Sequence, residues 1–99
     1  MALEMPATVE MQIDLIKGWI IRSPRLETAA FFMCIGSARP MEDAARRAGR
    51  DLVRWLSATT GMDGREARMP LTMVGKVRVG NMVDPTHSLG ASIARKYFE

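Results

Sequence analysis

His87 and Cys34 are the single histidine and single cysteine among 99 residues, and they bound the chemistry this chain could do. Hydrolysis at a carbonyl needs an activated nucleophile or a metal-bound water, with donors for the oxyanion. Such a site would use His87 as base, Asp84 to orient it, and Ser88 or Cys34 as nucleophile. If residues 87–93 form a strand, His87 and Ser88 point to opposite faces, which argues against the serine. The simpler reading makes Asp84 and Thr86 turn formers, His87 a strand-edge residue and Cys34 a small core residue. One histidine and one cysteine cannot build a His/Cys zinc cluster, and the carboxylates show no metal-ligand spacing. No catalytic, cofactor-binding or metal-binding residue is therefore assigned.

Binding chemistry is similarly sparse. Gly75 and Gly80 flank a strand without the glycine-rich loop and following helix that bind phosphate. Arg46, Arg47, Arg50 and Arg54 could meet phosphates from one helix face, yet Glu42, Asp43 and Asp51 share that helix, so a solvated face is the expectation. The formal charge of +3 is small and spread along the chain, which predicts no nucleic-acid partner. Trp55 is expected in the core, and Trp19, beside a turn, is a candidate contact with a partner.

Ninety-nine residues make one domain, 1–99, with 47% hydrophobic and 25% charged residues, an ordinary globular balance. A chain this short has little margin over its ordering entropy, so a partner surface would stabilise it. A lone cysteine excludes an intrachain disulfide and suits a reducing cytoplasm. Residues 1–8 lack the features of a signal peptide and the apolar stretch 29–35 is too short to span a bilayer, so no membrane association is expected.

The elements follow from periodicity. Val9, Met11, Ile13 and Leu15 alternate with polar residues, predicting a strand over 9–16. The Lys17-Gly18 turn would pair it with a short strand over 19–22. The apolar run 28–35 predicts a third strand, stopping at Gly36-Ser37. After Pro40, the residues Met41, Ala44, Ala45, Ala48, Leu52, Trp55 and Leu56 recur at helical spacing, with acids in the first turn and Gly61 at the end. Gly49 inside this helix either permits close approach of a neighbour or is simply tolerated. Asp63 and Glu66 form a capping box for a second helix, which Pro70 should kink or break. Strands over 76–83 and from His87 follow, with a tail after Arg95 expected to fray. The fold class is α+β, of approximate order βββααββ, one sheet face being covered by the long amphipathic helix.

In this order the residues resemble the acetamidase/formamidase family, in its C-terminal portion only. Ile16-Lys-Gly18 followed by Ser23-Pro-Arg25 is similar to the family's strand–turn–strand lead-in, and Ile35-Gly-Ser37 to the turn before its long helix. The run Met41-Glu-Asp-Ala-Ala-Arg-Arg-Ala48 with Leu52-Val-Arg-Trp-Leu56 resembles its paired-alanine helix. Most specific is Arg65-Glu-Ala-Arg68 leading through Leu71-Thr-Met-Val-Gly75 into Arg78-Val-Gly-Asn-Met-Val-Asp84. Arg68, Pro70 and Lys76 depart from the pattern, standing where tyrosine, leucine and aspartate are usual.

The resemblance implies hydrolysis of small linear amides to a carboxylate and ammonia. It places the histidine- and acid-rich catalytic segments, and any metal, in an upstream region that nothing here resembles. The implied partner is that upstream amidase domain or further copies of the chain, with the amide substrate met only through it. The alternatives are a free-standing protein-binding module and a non-catalytic remnant.

Overall fold

In a computed structural model, which describes residues 4–98, the chain builds two strands, two helices and two more strands. These are β1 (Arg25–Glu27), β2 (Phe31–Ala38), α1 (Met41–Thr60), α2 (Gly64–Val74), β3 (Lys76–Asn81) and β4 (His87–Ala94), closed by a 3₁₀ turn at Arg95–Phe98. All strand pairs are antiparallel, in the order β1-β2-β4-β3. The α+β class holds, whereas the expected order βββααββ gives way to ββααββ.

The core lies between the sheet and the helices. Phe32 stands opposite Ile93, Cys34 opposite Ala91, and Gly36 opposite Leu89. Alternation directs these residues to one face, where they meet the stripe of Ala44, Ala48, Leu52, Trp55 and Leu56 on α1. Phe32 and Trp55 pack edge to face, with ring centroids 5.1 Å apart. Gly36 is the point of closest approach: a Cβ there would collide with the Ala44 carbonyl and lie 2.6 Å from the Ala48 nitrogen. Gly49 has open space around it, so of the two options only tolerance applies.

Several boundaries differ from expectation for local reasons. The third strand begins at Phe31 because Thr28 to Ala30 form the β1–β2 turn. There the Thr28 hydroxyl accepts from the Ala30 and Phe31 nitrogens, a side-chain turn that competes with the ladder. It runs on through Gly36 and Ser37, which were expected to stop it; Ser37 is held by a 2.8 Å hydroxyl contact with Ser88. β3 ends at Asn81, whose side-chain oxygen accepts from the Val83 and Asp84 nitrogens and turns the chain after a bulge.

α2 has the expected capping box, Asp63 accepting from the Arg65 and Glu66 nitrogens while Glu66 accepts from the Asp63 nitrogen. Pro70 does not break it. The helix continues to Val74, and the Glu66 carbonyl that loses its partner belongs to an exposed residue that water can serve. The tail forms the 3₁₀ turn, tied at its first residue: the Arg95 nitrogen donates to the Ala30 carbonyl, and the Arg95 guanidinium lies 4.8 Å from the Phe32 ring centroid while pairing with Glu27.

The largest departure is at the front of the chain. Residues 9–16 do not form a strand and 19–22 do not pair with them; residues 4–20 are all exposed. The Lys17-Gly18 turn is present, with Gly18 at φ 76°. Alternation supplies a face to bury, but a strand also needs a neighbouring backbone, and the arm lies along neither open edge of the sheet, β1 or β3.

Candidate functional site

The histidine and the cysteine are kept apart. His87 pairs with Ala38 while Cys34 pairs with Ala91, so four strand positions, about 13 Å, separate the two. Ser88 is engaged with Ser37, and Asp84 accepts from the Asn81 amide at 2.7 Å. Cys34 is fully buried. Burial, with the Asp51 charge adding to it and Arg25 opposing, pushes its thiol up to about 12, so it is a protonated core residue at neutral pH. His87 Nδ1 is buried without a hydrogen-bond partner among the described residues. Among those residues no three histidine, cysteine, aspartate or glutamate side chains gather as a metal site.

What the fold does assemble was not anticipated. Asp51, expected on the wet face of α1, is only 3% exposed. The signal was available in its spacing, since Ala44, Ala48, Asp51 and Trp55 succeed one another at helical intervals. Arg25 Nε donates to Asp51 Oδ2 at 3.1 Å and Arg25 Nη2 to Oδ1 at 3.0 Å, a two-pronged pairing of β1 with α1. The guanidinium carbon lies 5.2 Å from the Trp55 ring centroid and 5.5 Å from that of Trp19. Burial would raise the Asp51 carboxyl, but the hydrogen bonds and charge of Arg25, aided by Cys34 and Arg54, hold it below its ordinary value. Hydrogen bonding to Asp51 raises the Arg25 pKa against the opposing effect of burial. This node anchors the point where the arm joins the sheet.

Beyond that anchor the arm presents Val9, Met11, Ile13 and Leu15 at 72%, 75%, 85% and 80% exposure. These four side chains stand at alternate positions of one segment, the pattern of a strand face left uncovered. The feature left in view is this strand-patterned arm, held at its root by Arg25, with Trp19 half-exposed beside it.

No family model matches the chain, and no curated protein matches it. Among solved structures, an acetamidase from Yersinia enterocolitica superimposes with a TM-score of 0.81 and 49% sequence identity over 85% of this chain. The chain resembles the acetamidase/formamidase family. An acetamidase from Bacillus halodurans aligns over 76% of this acetamidase-like chain at 33% identity, with a TM-score of 0.70. A predicted acetamidase/formamidase from Thermoanaerobacter tengcongensis, 22% identical with a TM-score of 0.75 over 84% of the chain, shares the fold. The acetamidase-like chain covers only 26%, 25% and 28% of these proteins, about a quarter of each. Among the described residues no helix is long and apolar enough to cross a membrane.

Proposed function

We propose that this chain is the C-terminal domain of an acetamidase/formamidase-like amide hydrolase, which converts small linear amides to a carboxylate and ammonia, and that it supports or assembles the catalytic core without being catalytic alone. The observation carrying this reading is the 49% identity to an acetamidase over 85% of the chain, against coverage of 26% of that enzyme. The exposed, strand-patterned arm supports it, because residues 9–15 have the pattern to complete a sheet belonging to the larger part of such an enzyme. The chemistry is assigned to that larger part: Cys34 is buried away from His87, Ser88 is engaged with Ser37 and Asp84 with Asn81, and no catalytic role is given to any of them. The setting we propose is cytoplasmic, with the upstream amidase domain or further copies of the chain as partner.

The test is complementation. Mixed with a polypeptide carrying the upstream three-quarters of an acetamidase, the chain should co-elute with it, gain thermal stability and support ammonia release from formamide or acetamide. Co-elution failing together with an unchanged melting temperature would refute the assembly role. Robust ammonia release by the purified chain alone, with or without divalent metal, would refute the assignment of catalysis to the other part.

A further inference from the structure

The charges of α1 do not cancel as its composition suggests. Arg22, Arg47, Arg50 and Arg54 line one cleft of about 420 Å³ between the root of the arm, β2 and α1. Asp51 is the one acid on its wall, and both of its oxygens are occupied by Arg25. Asp43 lies outside the cleft and pairs with Arg46 at 2.7 Å, and Glu42 is not among the lining residues. Arg47 donates to the Ser37 carbonyl at 3.1 Å, which points it toward the strand side. Among the described residues none of these four arginines forms an ion pair. The fold leaves Glu42 and Asp43 outside and commits Asp51 to Arg25, so four cations share one concavity.

We propose that this cleft binds a compact ligand carrying two or more linked phosphoryl groups. Arg47, Arg50 and Arg54 follow one another at three- and four-residue steps, so they share one side of α1. At 1.5 Å rise per residue their Cα atoms span about 10 Å along the axis. A lone oxyanion would reach only part of that row, whereas a chain of phosphoryl groups runs along it, with Arg22, from the root of the arm, lining the same cleft. Guanidinium groups suit this chemistry because their planar fork gives two parallel hydrogen bonds to phosphate oxygens. The cavity volume falls in the range of small-ligand sites, roughly 300–1,000 Å³. This proposal is independent of the amidase reading, and it is tested on the chain alone.

The experiment is calorimetric titration of the full chain with inorganic pyrophosphate, with sulfate at equal ionic strength as the reference anion. Saturable one-site binding of pyrophosphate, well above sulfate, is expected. Arg50→Gln and Arg54→Gln should each weaken it about tenfold, the loss of one charge-assisted hydrogen bond. Arg46→Gln, outside the cleft, should leave it unchanged. All three positions are exposed, and melting curves without ligand confirm that the variants fold. Pyrophosphate binding no tighter than sulfate would overturn the proposal, as would equal losses in the Arg46 and Arg50 variants. Tighter binding of a short single-stranded RNA than of pyrophosphate would also overturn it, in favour of a nucleic-acid surface.

Discussion

Asp51→Ala should be among the most damaging single changes to this domain. It removes the partner of a guanidinium whose side chain is only 10% exposed, from a carboxylate that is itself 4% exposed. Breaking a buried pair by deleting one member costs about 3–5 kcal/mol, because the remaining charge stays buried and uncompensated. The Trp19 and Trp55 rings near Arg25 offset part of that, by about 1 kcal/mol, so a loss of about 3 kcal/mol is expected. A domain of this size has roughly 5–15 kcal/mol in all, so the loss is a large share of it. In urea, with a slope of about 2 kcal/mol per molar, the midpoint should fall by about 1.5 M.

The assay is urea unfolding followed by tryptophan fluorescence, which also reports release of Trp19 from Arg25. A double variant, Arg25→Met with Asp51→Leu, should recover most of the loss, since an apolar pair of similar volume replaces the ions. The pH dependence has a defined sign. The Asp51 carboxyl is depressed in the folded chain, so its stabilisation is complete above the ordinary carboxylate range and disappears as pH falls through the lower folded value. The Asp51→Ala protein should lose that part of its acid sensitivity. A destabilisation below about 1 kcal/mol, or an acid limb identical to the parent's, would refute the assignment of a buried, energetically coupled pair.

Two glycines should respond in opposite ways. Gly36→Ala pushes a methyl group into the α1 backbone at Ala44 and Ala48 and should destabilise by at least about 1–3 kcal/mol. Gly49→Ala, with open space and a helical backbone, should stabilise by about 1 kcal/mol; denaturation midpoints check both. Cys34→Ala should flatten the alkaline limb of stability. The unfolded thiol ionises near 9.0 and the folded one at about 12, so the contribution of Cys34 is full below the former and is lost as pH rises toward the latter. Melting temperatures followed from neutral into alkaline pH test this.

Where a signal was local, the residues announced the structure. The α1 stripe, the Asp63 and Glu66 capping box, the Gly61 terminus and the β4 strand from His87 follow from spacing and capping chemistry that act within a few residues. Boundaries slipped where side chains compete with the backbone, as Thr28 and Asn81 do. The arm carries the pattern of a strand without pairing as one, because alternation records which face wants burial, not whether the fold lays the segment along a sheet edge.

By itself the sequence determined the α+β class, both helices, the last strand, and a resemblance to acetamidases that the solved structures share over most of the chain. Only the tertiary structure decided that Asp51 is buried beneath Arg25, that Gly36 rather than Gly49 is the contact between sheet and helix, and that four arginines share one cleft. The physical reason is common to these cases. Helix and strand periodicity arise from neighbours along the chain, whereas charge compensation and close approach depend on groups distant in sequence, as Arg25 is from Asp51. For Arg25 and Asp51 the meeting is set by the β1–β2 pairing, which sets Arg25 beside Cys34, and by the packing of α1 on β2.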